Sequence, residues 1–199
     1  MLLSKNNSKK TKMTTKIRCG WSEKDDLYRE YHDREWGNPV YEDDTLFEFL
    51  VLETFQAGLS WHTILKKRAN FRTAFNQFDY VKIADYTEEK IQDLLQDTGI
   101  IRNQLKIRAT VSNAQAFIQV QKEFGSFSTY IWQFTKGKPL VNNWLTLKDI
   151  PASTPLSDAV SKDLKNRGFK FVGTTVVYAH LQATGMVNDH LLSCWKRSS

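Results

Sequence analysis

The sequence predicts an all-α fold, and three features carry that expectation. Glycine (9) and proline (4) are scarce among 199 residues, whereas average usage is about 7% and about 5%, so a turn-rich β-sandwich or barrel is excluded. From residue 25 onward, helix caps and helix stops bracket most of the apolar runs. A hydrophobic content of 41% with 25% charged residues excludes a disordered or collagen-like chain, and the length suits one sizeable domain or two small lobes.

The elements follow in order. Thr45 with Glu48 reads as a capping box opening LFEFLVLETFQA (46–57), which Gly58 closes. Ser60 caps WHTILKKR (61–68), and Thr87 opens EEKIQDLLQD (88–97), which stops at Thr98-Gly99. A longer helix is expected from about Arg102 to Glu123, ended by Gly125. Thr154-Pro155 is an N-cap with proline at the first helical position, and Gly168 is its C-terminal stop. Thr174 or Thr175 caps a last helix towards Gly185, although the β-branched and aromatic segment FKFVGTTVVY (169–178) also suits a strand. Counting caps gives about eight to ten helices. The sequence holds no internal repeat.

The basic charge is unevenly placed. Of the net +6, five lysines (Lys5, Lys9, Lys10, Lys12 and Lys16) lie in residues 1–16 with no acid among them, which leaves +1 over 17–199. The expectation is a disordered basic tail at 1–16 and a nearly neutral folded part, so net charge alone argues little for nucleic acid. No apolar run approaches the roughly 18 residues of a membrane helix. The opening MLLSKNNSKKTKMTTK lacks the apolar stretch of a signal peptide. Two cysteines make no disulfide framework. A cytoplasmic protein with no membrane partner is expected.

The cysteines and histidines offer a metal site. His190 and Cys194 are spaced i,i+4, which on a helix places both on one face. Cys19 lies thirteen residues before His32, so these two meet only if the chain between them folds back. The four form a Cys2His2 set that a tetrahedral zinc ion would close, leaving no position for water and hence a structural role. Tying residue 19 to residue 194 would contribute about 4–5 kcal/mol in the chain-entropy model of a cross-link. The spacing matches no standard zinc finger, and two buried thiols with two ordinary histidines would satisfy it equally.

Glu53 stands out for its position. Leu46, Phe49, Leu50 and Glu53 follow the i, i+3, i+4, i+7 pattern of one helix face, and a carboxylate on a core-facing stripe is costly unless paired or neutralised. It is a site candidate on that ground, the alternative being a glutamate at the stripe's edge paired with Lys or Arg. Trp21, Tyr28, Tyr31, Trp36 and Trp61 cluster in the neighbouring segments. Such rings pack cores, but they also stack on planar ligands and attract cations with their faces.

IQDLLQDTGIIRNQLKIRATV (91–111) reads as helix, tight turn, helix. Backbone N–H groups at Gly99 and Ile100 can hold a DNA phosphate there, and Arg102 and Lys106 sit one turn apart to assist. Helix–glycine–helix joints are also common in any all-α protein.

Together these segments resemble the 3-methyladenine DNA glycosylase I (Tag) family of the helix-hairpin-helix DNA glycosylases. The resemblance rests on RCGW (18–21), YHDREWG (31–37), LFEFLVLETFQAGLSW (46–61), LKKR (65–68), DTGIIRNQLKI (97–107), GFKFVGTTVVYAHLQATGMVNDH (168–190) and Cys194, and spans roughly 17–195. It implies two all-α lobes with a base pocket between them. One lobe takes about 17–40 plus 108–199, and the helix-hairpin-helix lobe takes about 41–107. It implies that Cys19, His32, His190 and Cys194 bind one structural zinc that joins the terminal segments. Glu53 would read the flipped base, Tyr31 and Trp61 would bind and stack on it, and Trp21, Trp36 and Tyr28 would belong to the same aromatic pocket. The N-terminal extension of about sixteen residues departs from the family pattern.

The resemblance also implies an absence. Most helix-hairpin-helix glycosylases carry an aspartate after the hairpin, whereas RNQLKIRATVSNAQAF (102–117) contains no Asp or Glu. No lysine nucleophile of the lyase type is evident. A monofunctional hydrolase acting in base excision repair is expected. Its partners would be double-stranded DNA containing alkylated adenine and, as product, free 3-methyladenine. Such an enzyme would work as a monomer, nucleoid-associated in a bacterium. Leu59, beside Gly58 at a helix junction, would fill the vacated stack. The competing expectation is a zinc-stabilised DNA-binding module without catalysis, which would need neither Glu53 nor the aromatic set. A catalytic metallohydrolase would need an open metal position.

Overall fold

The structure, a computed structural model, describes residues 16–198. The tail expected to be disordered, 1–16, lies outside the described residues except for Lys16, whose ammonium sits 3.6 Å from the centroid of the Trp195 ring. Nine α-helices occur among the described residues: α1 (Asp26–Arg34), α2 (Asp43–Gln56), α3 (Trp61–Ala74), α4 (Tyr80–Ala84), α5 (Glu88–Gln96), α6 (Gln104–Phe124), α7 (Phe127–Trp132), α8 (Pro155–Asn166) and α9 (Thr174–Ala183). Two strands of two residues, β1 (Leu140–Val141) and β2 (Val187–Asn188), pair in parallel with Leu140 opposite Val187. The all-α expectation holds. No helix among the described residues is long and apolar enough to cross a membrane.

The caps explain most helix starts. Ser60, Thr87 and Asn103 accept from the amides of Thr63, Lys90 and Lys106 at the heads of α3, α5 and α6. Thr154 and Ser157 form a reciprocal capping box behind Pro155. Two expected caps are corrected. α2 begins three residues earlier than a Thr45–Glu48 box requires, with Glu42 at its N-cap position. Glu48 instead accepts from Arg68 (2.6 Å) and Arg72 (3.0 and 3.1 Å) on α3, since a nearly buried carboxylate gains more from two guanidinium partners than from one amide. Thr174 is already inside α9, whose N-cap is Gly173. The ambiguous segment 169–178 is therefore irregular and then helical.

α2 is the central helix. Every residue from Leu46 to Phe55 is buried, because α3, α6, α7 and α9 all pack against it. Asp43 at its head accepts from the amides of Phe127 and Ser128 (2.9 and 2.8 Å), fixing α7 to it. A second, smaller apolar cluster joins Cys19, Tyr31 and Trp36 to Phe49 and Leu65, and to Ala183, Leu191 and Cys194. It brings the two ends of the described chain together beside α2 and α3.

Candidate active site and metal centre

α2 carries Glu53 and Gln56 on one face, three residues apart, at the wall of a cavity of about 290 Å³. The chain then turns at Gly58, whose φ of +83° suits glycine. Ser60 restarts the helix so that Trp61, the first residue of α3, faces the same cavity. α1 contributes Tyr28 and Tyr31, also three residues apart, and Trp21 and Trp36 flank it. The wall is completed by Ile150, Ala179 and Gln182.

All five aromatic residues singled out from the sequence thus line one cavity with Glu53. The Tyr31 and Trp61 ring centroids lie 5.4 Å apart, and Trp21 meets Trp36 edge-on at 5.1 Å. His62, next to Trp61, bonds Asp25, the N-cap of α1. That link holds the start of α3 against the start of α1. The sequence reading missed Gln56, Gln182, Ala179, Ile150 and the Asp25–His62 pair. Gln56 was recoverable, being one turn beyond Glu53, whereas nothing local marks the others.

Glu53 is not at the edge of a stripe, since α2 has no exposed side there. It is 4% exposed, and no hydrogen bond or ion pair to it occurs among the described residues. Burial pushes its carboxyl up to about 8, so the free protein holds a proton there at neutral pH. Burial, followed by the Glu53 and Glu35 charges, raises the Tyr31 phenol well above its ordinary value. Tyr31 therefore remains a donor. The indole N–H of Trp61 is buried and has no hydrogen-bond partner among the described residues.

Cys19, His32, His190 and Cys194 converge as the sequence suggested, although the segment from His190 to Cys194 is a turn and not the helix that its i,i+4 spacing suited. All four are buried, and their ligand atoms lie within 4.8 Å of one another. Cys194 Sγ is 3.4 Å from His32 Nε2 and 3.6 Å from His190 Nδ1, and Cys19 Sγ is 3.6 Å from His190 Nδ1. The far nitrogens are also held. His32 Nδ1 faces Asp33 Oδ1 at 2.9 Å, and Asp33 is gripped twice by Arg18. His190 Nε2 faces the Trp36 carbonyl at 3.2 Å. Such partners select the tautomers that leave His32 Nε2 and His190 Nδ1 as lone pairs. Burial, with Cys194 nearby, pushes the Cys19 thiol up to about 12, so an unliganded Cys19 would stay protonated. The donor set and its spacing can hold a metal ion. Gly37 lies against it, where a Cβ would stand 2.8 Å from His190 Nε2 at a φ of +77°.

The α5–α6 turn, the expected hairpin, is more tethered than the sequence implied. The Gly99 amide donates to Asp97 Oδ1 (2.7 Å), and Lys67 Nζ holds the carbonyls of Thr98 and Gly99. Ile100 is buried and anchors the turn, while Arg102 is exposed. Lys106 does not stand beside Arg102. Its ammonium turns inward to the carbonyls of Phe55 (2.9 Å) and Ala57 (2.6 Å), since the C-terminal end of α2 offers unsatisfied acceptors and partial negative charge. Leu59 is 41% exposed and projects beside a smaller cavity of about 180 Å³ that shares Glu53 and Gln56 with the first.

Comparison with known proteins agrees with this geometry. Residues 21–197 match the family model described as methyladenine glycosylase. The chain is 51% identical over 177 residues to DNA-3-methyladenine glycosylase 1 of Escherichia coli K12, covering 89% of this chain and 95% of the relative. It is 47% identical over 182 residues to DNA-3-methyladenine glycosylase of Haemophilus influenzae, covering 92% and 97%. A 3-methyladenine DNA glycosylase I from Staphylococcus aureus, solved to show the structural basis of 3-methyladenine recognition, superposes with a TM-score of 0.88 at 36% identity. That match covers 92% of this chain and 97% of that one. By sequence along nearly all of its described length and by fold, the chain belongs to the methyladenine glycosylase family.

Proposed function

We infer that this protein is a monofunctional DNA glycosylase that extrudes N3-methyladenine from alkylated DNA and hydrolyses its bond to the sugar. The supporting observation is a buried, otherwise unpaired carboxyl, Glu53, set in a cavity walled by five aromatic side chains. Methylation at N3 makes adenine cationic in DNA and already a good leaving group, so the protein need not protonate it. Indole and phenol faces favour the cation over neutral adenine. Arrival of the cation draws the proton off Glu53, and the resulting carboxylate accepts a hydrogen bond from the exocyclic amine. That carboxylate also stabilises the positive charge that spreads to the sugar in the transition state. The C1′–N9 bond breaks with its electron pair going to the base, which leaves neutral. Water oxygen bonds to C1′ and releases its proton to solvent. In this reading Tyr31 and Trp61 grip the base directly, and Trp21, Trp36 and Tyr28 complete the pocket. The deciding assay is release of free 3-methyladenine from alkylated duplex DNA. Salt-dependent DNA binding without any release would restore the non-catalytic module.

The four buried Cys and His residues suit one zinc ion. Tetrahedral zinc with sulfur at about 2.3 Å and nitrogen at about 2.0–2.1 Å separates S and N ligands by about 3.5 Å, matching the 3.4–3.6 Å found. With four protein ligands the ion supplies structure only, because no position is left for water.

The DNA face is proposed along Gly58, Leu59, Gly99, Ile100 and Arg102. The Gly99 amide is already taken by Asp97, so Arg102 carries the phosphate contact at the hairpin, with Gly99 and Ile100 shaping the turn. Lys106 acts from below, fixing the carbonyls that set the Gly58–Leu59 turn. Leu59→Ala should slow release from duplex DNA about tenfold, since flipping costs a few kcal/mol that a filled stack partly offsets. Its affinity for free 3-methyladenine, followed by tryptophan fluorescence, should match that of the unaltered protein. The lobes are proposed at 17–40 with 108–199 and at 41–107, with α6 running through both. A monomer working in the bacterial cytoplasm on nucleoid DNA fits this reading.

A further inference from the structure

Gln182 is the one residue of the cavity wall whose side-chain amide is oriented by a buried network. Its Nε2 donates to Asp189 Oδ2 at 2.7 Å. Asp189 is fully buried, and its two oxygens are otherwise filled by Tyr178 on the same oxygen, and by Asn142 and Trp144 on the other. The amide has no freedom to turn over, because the reverse orientation would face its carbonyl oxygen to a carboxylate oxygen. Its Oε1 accepts no hydrogen bond among the described residues. Gln182 stands in the cavity wall on α9 with Oε1 as the atom of its amide left without a partner among the described residues, while Glu53 lines the same cavity from α2.

We propose that Gln182 is a specificity-determining residue whose side-chain oxygen, held by Asp189, selects purines bearing a 6-amino group over those bearing a 6-oxo group. The inference rests on the base-excision reading above and names what that site distinguishes. An exocyclic amine carries two hydrogens. Glu53 takes one, and Gln182 offers the acceptor for the second. A 6-oxo purine would set a carbonyl oxygen against the Gln182 oxygen, leaving both unpaired in a buried site. Asp189 is a positioning residue in this arrangement, since it acts only through the amide.

The test is Gln182→Met, which keeps the side chain's length and removes the acceptor, with Gln182→Ala as a second variant. Both are assayed on duplex DNA treated with a methylating agent that produces 3-methyladenine and 3-methylguanine together, with both released bases quantified from the same reaction. The ratio of 3-methyladenine to 3-methylguanine release should fall about tenfold in both variants, the loss expected for one hydrogen bond of about 1.4 kcal/mol. A damaged fold slows both releases alike and leaves the ratio intact. An unchanged ratio in a variant that still releases base overturns the proposal while leaving the excision reading in place. Should neither variant release base, affinities for the two free bases, read by tryptophan fluorescence, must show the same loss of preference, or the proposal fails. An unaltered protein that releases neither base overturns the excision reading itself.

Discussion

Glu53→Gln should lower release of 3-methyladenine by about a hundredfold to a thousandfold, in line with removing one preorganised electrostatic partner of a transition state. Burial in an aromatic cavity makes that partner strong, and the same burial holds it protonated near neutrality, with its carboxyl raised to about 8. Two pH dependences follow. With the unaltered protein, kcat/KM should climb as pH rises towards about 8 and then level, because the ionised form is the one that meets the cation. The glutamine variant should show no such rise. Stability has the opposite sign. An acid whose folded value lies above its unfolded value favours folding fully below the unfolded value, near 4.5. That contribution is progressively lost as pH rises through about 8. At pH 7 the penalty is on the order of 3 kcal/mol. Thermal melts should therefore show Glu53→Gln gaining on the unaltered protein as pH rises from 5 to 8. A variant that is both inactive and less stable across that range would mean that Glu53 is a packing group.

Loss of the proposed zinc should have the largest effect on stability. Cys194→Ala, or prolonged exposure of the unaltered protein to a chelator, should lower unfolding free energy by about 5 kcal/mol, the chain-entropy value for a link between residues 19 and 194. Most of a small domain's margin would go with it. Denaturant titration and metal analysis of the purified chain check this together, one bound ion per chain being the expected stoichiometry. Base binding should be lost at the same step, because Trp21, Tyr31 and Trp36 are held in the cluster that contains Cys19 and Cys194. A chelated protein that melts unchanged and still quenches with 3-methyladenine would reduce the four residues to an ordinary buried cluster.

Local chemistry made much of this architecture readable. The Ser60, Thr87 and Thr154 caps act within three residues of their helices, so short-range pattern located them. The aromatic set and the Cys2His2 set were visible as residue types, and the family motifs gave them one place. What depended on partners far along the chain was not readable. Thr45 and Glu48 have the right spacing for a cap, but Glu48 is drawn to Arg68 and Arg72 on α3. Lys106 looks like an outward hairpin cation until α2 ends above it. Glu53 looked like the end of a stripe because a helix buried on every side has no stripe. Gln182 carries no local mark at all, and its orientation comes from Asp189, seven residues on, across the end of α9.

The meeting of residues 19 and 194 bears on how the enzyme comes into being. Ribosomal synthesis delivers Cys19 and His32 long before His190 and Cys194, and Ala179 and Gln182 of the cavity wall likewise follow its α1–α3 residues. A nascent chain that has not yet reached residues 179–194 thus has neither the completed cavity wall nor the four-residue Cys and His cluster.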